Sequence, residues 1–330
     1  MINLFVTYRC NLACGYCFAR ELADLYPDDM RTETFNRLLA WMRRANVPAA
    51  AFIGGEPTLH GGLAAMIEAA SATGIAPILF TNGLFGPDLA DRLTGSVVNF
   101  VVNYNNPAGY APAQRRKLQA ALSRLAAQGA RITFSKNFAP GGLDHDYLIE
   151  AARHYGVRSV RYDISRPGRN GTNAFFTSDQ VRDTLAHVVT FVEKCEAHGI
   201  RTGLDCCLRL CDLTPAQRRF LERVSMKFTG ICHPSIDIHP DLSASYCLPL
   251  HDVRVPDVTA FADTFALMQH FANRVRDRRF AGTDPGCLTC AEFMRTCQGG
   301  CMALRPEAPV TNLCAPQPKP ETSPFAHENL

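Results

Sequence analysis

Over the first half of the chain, apolar positions come in two alternating patterns. Short apolar runs of strand length stand at Ile2–Tyr8, Ala49–Ile53, Pro77–Thr81, Val97–Asn103, Arg131–Ser135 and Arg158–Asp163. Between them, amphipathic stretches at Thr32–Ala45, Leu63–Thr73, Pro87–Leu93, Ala113–Gln128 and Asp144–Tyr155 predict helices. Phe35, Leu38, Leu39 and Met42 show the helical period in the first of these. Gly74, Gly129 and Gly156 each follow a helix, where a left-handed residue closes the last turn. Strands alternating with helices predict parallel pairing through helical crossovers. Six such units predict an α/β fold, a partial (β/α)6 barrel that stays open rather than closing on eight strands.

Beyond residue 165 the pattern changes. Arg166–Gly171 reads as a loop, and Ser178–His198 as a long helix packed on the barrel. From Thr202 the chain is rich in Cys, Pro and short apolar runs. A strand-turn-strand fits Ser235–His239 with Ser243–Leu248, and a helix fits Val258–Arg276. The proline-rich stretch Pro306–Leu330 predicts an extended tail. The expected division is a barrel core over 1–200, a small cysteine-rich α+β domain over 201–316, and a tail over 317–330.

Composition narrows the class. Of 330 residues, 47% are hydrophobic and 20% charged, as in a globular protein. Lys and Arg number 34 against 31 Asp and Glu, a net charge of +3. So near-balanced a charge points to neither a nucleic-acid nor a membrane partner. No run approaches the ~18 apolar residues of a membrane span. Met1–Phe5 lacks the basic region and cleavage site of a signal peptide, so the expected location is the cytoplasm.

The 14 cysteines are out of proportion to this picture. Disulfide scaffolds are usually short and secreted, so a long chain in a reducing compartment favours metal sites. Cys10, Cys14 and Cys17 follow the first strand at C-x3-C-x2-C spacing. Three thiolates from one short loop can hold a [4Fe–4S] cluster with one iron left open. Zinc competes, but a structural zinc normally has four ligands, and the next thiol, Cys195, is far along the chain.

With Tyr16 before Cys17, this segment resembles the C-x3-C-x-aromatic-C motif of the radical S-adenosylmethionine (SAM) superfamily. A second motif, Gly54-Gly55-Glu56-Pro57, stands after the second strand, as GGEP does in that family. The simpler reading of Gly-Gly-x-Pro is a strand-to-helix turn. The resemblance implies a TIM-like partial barrel and a [4Fe–4S] cluster that chelates SAM. Reductive cleavage of SAM then yields a 5′-deoxyadenosyl radical that abstracts hydrogen from unactivated carbon. It implies SAM contacts from Gly54, Gly55, Glu56 and Pro57, with Glu56 toward the amino group. Asn82, in Thr81-Asn82-Gly83, ends the third strand, where relatives often have T-N-G. Asn103 ends the fourth, where relatives often carry Ser in S-x-D-G. This chain departs from that pattern, which leaves Arg115 or Arg116 as the alternative partner of the SAM carboxylate. Ser135, Lys136 and Asp163 stand at later strand ends, the active-site face of such folds.

The later cysteines resemble the SPASM extension of radical SAM enzymes, with seven cysteines from Cys232 to Cys314. The gap between Cys290 and Cys297 is one residue longer than in the commonest version, and Leu242 stands where a glycine is usual. The resemblance implies that Cys232, Cys247 and Cys301 bind a first auxiliary [4Fe–4S] cluster. Cys287, Cys290, Cys297 and Cys314 bind a second. Cys211 or Cys206 would supply the first cluster's fourth ligand, Cys211 being the choice in the ligand set. Two zinc ribbons are the alternative. Cys195 reads as a core residue. Cys207, a thiol left over beside a ligand, reads as a packing residue or as a hydrogen donor to a substrate radical. His60 reads as lining the turn after Pro57.

The function this implies is a radical SAM/SPASM oxidoreductase or maturase acting on a peptide or protein side chain, with a flavodoxin- or ferredoxin-type electron donor. The alternative is a dehydrogenase or epimerase of a sugar or aminocyclitol. The core begins at residue 2, with no room for an N-terminal leader-peptide recognition domain, and this favours the alternative. A cluster- or zinc-binding interaction protein with a degenerate core is the third reading. The intact Cys10, Cys14, Cys17 and GGEP stand against it.

Overall fold

The computed structural model describes residues 1–304. The six expected strand-helix units are present as β1 (Ile2–Thr7), α1 (Thr32–Arg44), β2 (Ala49–Gly54), α2 (Leu63–Ala72), β3 (Ala76–Thr81), α3 (Pro87–Thr94), β4 (Asn99–Asn103), α4 (Pro112–Ala127), β5 (Ile132–Phe138), α5 (Asp146–His154), β6 (Ser159–Ile164) and α6 (Ser178–Ala197). Each strand pairs in parallel with the next in sequence. The parallel run continues through β7 (Arg201–Leu204) and, after α7 (Pro215–Val224), β8 (Ser225–Met226). β8 and β1 do not meet, so the barrel is open. Its fold is mixed α/β with a parallel-dominated sheet, a partial TIM barrel.

The expected boundary at residue 201 falls at the start of β7, inside this sheet. The C-terminal region also adds strands at the other edge. β9 (Asp237–Ile238) pairs in parallel with β1, and β10 (Ala244–Ser245) and β11 (Arg254–Val255) follow antiparallel. The order is β11-β10-β9-β1-β2-β3-β4-β5-β6-β7-β8.

The helix expected over Val258–Arg276 is split. Asp257 accepts from Thr259 N at 2.8 Å and closes a short turn, Val258–Ala260. Asp263 accepts from Ala266 N at 2.8 Å and starts α8 (Thr264–Arg274), which α9 (Arg276–Ala281) follows. Each Asp offers its side chain to a backbone donor that has no intrahelical partner, so each marks a start.

The core lies between the sheet and its helices. α1 buries Phe35, Leu38, Leu39, Trp41 and Met42. Trp41 Nε1 donates to the Phe261 carbonyl at 2.8 Å, which ties the first helix to the C-terminal region. Cys195 is fully buried on the core face of α6. Among the described residues no helix is long and apolar enough to cross a membrane.

Candidate active site

The two glycines of Gly54-Gly55 exist because two backbones touch there. A Cβ on Gly55 would stand 2.3 Å from the Arg9 carbonyl oxygen and 2.5 Å from that of Tyr8. Without side chains the strands close up: Gly55 N donates to Thr7 O and Glu56 N to Arg9 O, each at 2.8 Å. The loop that follows β1 is thereby pinned to the end of β2.

Glu56 locks this junction to β3. Its Oε1 accepts from Thr58 N at 3.1 Å, Thr58 Oγ1 at 2.6 Å and Thr81 Oγ1 at 2.8 Å. Its Oε2 accepts from Asn82 N at 2.7 Å. Burial pushes its carboxyl up, and these donors pull it back. The carboxylate is thus spent on the protein and does not line the cavity beside it. Pro57 is buried at the start of the next short turn. His60 closes that turn: its Nδ1 accepts from Gly62 N at 3.0 Å, leaving Nε2–H for the Met30 carbonyl at 2.9 Å.

At the C-terminal end of the parallel strands lies a cavity of about 430 Å³. Cys10, Cys14 and Cys17 line it, with Tyr16, Gly54, Gly55, Asn82 and Asn103 also in its wall. Tyr16 organises one side. Its Oη donates to Asn105 Oδ1 and accepts from Asn103 Nδ2, both at 2.7 Å. Asn105 Nδ2 points to Cys14 Sγ at 3.6 Å. Asn82 Nδ2 donates to Asn11 Oδ1 at 2.7 Å, holding the cysteine loop to β3.

Strand alternation sorts the later strand ends. Ser135 and Asn137 line the cavity. Lys136 turns away, donating to the Gly142 carbonyl at 2.8 Å, and burial lowers its pKa to about 8. Asp163 is buried and lies outside the cavity wall. Arg115 and Arg116 do not reach the cavity either. α4 turns Leu118, Ala121, Leu122 and Leu125 inward, which leaves both arginines exposed. The cations that line the cavity are Arg20 and Arg161. Arg161 lies over the Phe80 ring, 4.9 Å from its centroid, and pairs with Asp205. Sequence reasoning missed Arg20, Asn105, Asn137 and Arg161, although period-2 counting from Ser135 would have found Asn137.

A second thiol group lies beyond β6. Cys207 and Cys232 are neighbours, and their interaction, with Tyr246 Oη pointing to Cys232 Sγ at 3.7 Å, holds the Cys232 thiol below its ordinary range. Cys301 and Cys247 face Cys232. The sequence favours Cys211 beside Cys232, Cys247 and Cys301; the structure puts Cys207 there. Cys211 is exposed on a short turn and faces Cys297 instead. The reason is local: Cys207 is turned into the interior while Leu210 and Asp212 occupy the buried positions around Cys211. Cys206 faces Asp163, and burial pushes its thiol well up.

Cys287, Cys290 and Cys297 form a third group. Cys290 N donates to Cys287 O at 3.1 Å, and Gly299 N points to Cys297 Sγ at 3.4 Å. Cys314 lies outside the described residues.

These donors suit thiolate-held clusters. Every cysteine among the described residues is free of a disulfide, so the thiols are available as ligands; among those residues no three or more His, Cys, Asp or Glu side chains are drawn together as a metal site. Next to the second group, moreover, a buried guanidinium, Arg166, has an Nε without a partner.

Residues 4–103 match the sequence profile described as the Radical SAM superfamily. An AdoMet-dependent heme synthase of Nitratidesulfovibrio vulgaris is 32% identical over 28% of this chain, a match spanning only 26% of that protein. A mycofactocin maturase of Mycobacterium ulcerans is 26% identical over 91% of this chain and 82% of its own. Among solved structures, anSMEcpe with bound AdoMet and a peptide superimposes with a TM-score of 0.65 at 18% identity, covering 91% of this chain and 88% of that one. Over residues 4–103 the chain carries a radical SAM domain, followed by a cysteine-rich region.

Proposed function

We propose that the protein is a radical SAM oxidoreductase or maturase that removes hydrogen from a peptide or protein side chain in the cytoplasm. The observation that carries this reading is the cavity. One wall presents Cys10, Cys14 and Cys17; other parts present Gly54, Gly55, Asn82 and Asn103. When bound there, a [4Fe–4S] cluster and SAM supply hydrogen-atom abstraction from unactivated carbon.

The chain's own residues position these groups. Cys10, Cys14 and Cys17 would hold the cluster. Tyr16, clamped between Asn103 and Asn105, fixes the loop that carries them. Gly54 and Gly55 leave backbone exposed to the ligand, and Glu56 keeps that backbone in place from behind. Arg20 and Arg161 offer positive charge to an anionic group in the cavity. Cys207, Cys232, Cys247 and Cys301 would hold one auxiliary cluster, and Cys287, Cys290 and Cys297, with Cys314, a second.

The maturase reading is supported by one relative and the peptide substrate by another. The mycofactocin maturase matches across most of both chains, and the anSMEcpe structure holds a peptide beside AdoMet. The test is anaerobic turnover with SAM and a flavodoxin- or ferredoxin-type donor. Its substrates are short peptides encoded beside the gene and a panel of sugars and aminocyclitols. A peptide product of altered mass, with label moved from the peptide into 5′-deoxyadenosine, is expected. Turnover of a sugar or aminocyclitol alone would overturn the peptide reading.

A further inference from the structure

Arg166 follows β6 and is 1% exposed. Its Nη2 donates to the Cys207 carbonyl at 3.2 Å, and its Nε has no partner among the described residues. Nor, among them, does it form an ion pair within 4.0 Å. Arg209, lining the same narrow gap, is different: it pairs with Asp212 at 2.8 Å and Asp284 at 3.5 Å.

A guanidinium keeps its proton inside a protein, and a buried charge must be balanced. The acidic groups facing Arg166 are Cys301, Asp163, Cys206 and Cys207. Three of the four are thiols. With the thiols neutral, Asp163 alone would answer this cation; thiolates bound to a cluster would add the rest.

The backbone of Arg166 is fixed as firmly as its side chain. Asn173 Nδ2 donates to the Arg166 carbonyl at 2.8 Å and to the Tyr16 carbonyl at 3.0 Å. Asn173 Oδ1 accepts from Gly168 N at 2.7 Å. The segment that carries Arg166 is therefore clipped to the N-terminal cysteine loop.

We propose that Arg166 is a positioning residue for the first auxiliary centre. It balances the negative charge of a cluster held by Cys207, Cys232, Cys247 and Cys301, and offers its unpartnered Nε–H to one of the sulfurs. A cation and a donor at this place favour the reduced, more negative cluster, so Arg166 raises its reduction potential. This rests on the auxiliary-cluster reading above.

The test uses the full chain carrying Cys10→Ala, Cys14→Ala and Cys17→Ala, so that only auxiliary clusters remain. It is reconstituted with iron and sulfide and titrated with dithionite under redox monitoring by electron paramagnetic resonance. Arg166→Gln and Arg166→Lys are compared in that background. Arg166→Gln is expected to keep its iron and cut the reduced-to-oxidised ratio at the parent's midpoint at least tenfold, a shift of about 59 mV for one electron. Arg166→Lys, which keeps the charge but not the fork, is expected to fall between. If Arg166→Gln loses iron and Arg166→Lys retains it, the charge is needed to hold the cluster, and the proposal stands. Equal iron loss in both, or a midpoint that neither variant moves, overturns the role of Arg166. A parent with no iron beyond background would overturn the auxiliary-cluster reading itself, and the proposal with it.

Discussion

The Tyr8 phenol and His239 Nδ1 lie 2.7 Å apart in a hydrogen bond that joins the cavity wall to β9 side. Tyr26 stacks against both rings, 5.1 Å from Tyr8 and 4.4 Å from His239. His239 Nε2 in turn reaches Ser245 Oγ at 3.1 Å. Burial lowers the His239 pKa to about 3, so the ring is neutral at working pH. Tyr8→Phe strands a buried nitrogen and is expected to cost about 1–3 kcal/mol of stability. Denaturant unfolding of the variant checks this, and its iron content should match the parent's.

Replacing Cys10, Cys14 and Cys17 together with Ala is expected to remove roughly four iron atoms and abolish SAM cleavage. The auxiliary iron should remain, because those thiols lie beyond β6. Iron analysis and assay of 5′-deoxyadenosine check both points. Undiminished 5′-deoxyadenosine from the triple variant would sink the assignment.

A Cβ on Gly54 would sit 2.2 Å from the Thr7 carbonyl oxygen. Gly54→Ala must push β1 and β2 apart at the cavity's edge. The expected loss is about 1–3 kcal/mol, with weaker SAM binding. Thermal unfolding and equilibrium binding of SAM measure the two effects. Gly61→Ala, with nothing within 4 Å of the new atom, is the control.

Lys136 gives a pH signature. Its folded pKa, about 8, is below the ordinary 10.5, and burial is the largest cause. A depressed lysine stabilises the fold fully only above the unfolded value. That stability is lost as pH falls through the folded one. Lys136→Met is therefore expected to be more stable than the parent at pH 7 by about 2 kcal/mol, after the loss of the bond to Gly142 O. The gain should shrink between pH 8 and 10.5, as a series of unfolding curves will show.

Cys207 and Cys211 should part company. Cys207→Ala removes the thiol beside Cys232 and is expected to lower auxiliary iron. Cys211→Ala should leave the first auxiliary centre intact. If Cys207→Ala keeps all its iron, still makes 5′-deoxyadenosine and gives no inverted product, Cys207 is a hydrogen donor instead.

The strands and helices through Ala197 were legible because each carries its own periodicity. The cysteine loop and Gly54-Gly55 were legible because their chemistry is local in sequence. The facing of side chains was not. Glu56 is turned inward by donors from Thr58, Thr81 and Asn82, two of which lie about 25 residues on. Arg115 has the right charge, yet its helix buries the opposite face. The choice between Cys206, Cys207 and Cys211 depends on which way a short irregular segment turns, and no period encodes that. The strand-turn-strand read at Ser235–His239 and Ser243–Leu248 is present as β9 and β10, each only two residues long, but the parallel pairing of β9 with β1 carried no local signal.

That short strand has a consequence for anyone dividing the chain. Asn3 and Leu4 of β1 pair with Asp237 and Ile238. Asn3 Nδ2 also donates to Asp237 Oδ1 at 2.7 Å. A fragment ending near residue 200 would lose this cover and expose a row of unpaired backbone groups along β1, flanked by Ile2, Leu4 and Val6. Such an open border recruits other strands, and the fragment would self-associate. The C-terminal region is thus also the seam that closes off the β1 border of the N-terminal sheet.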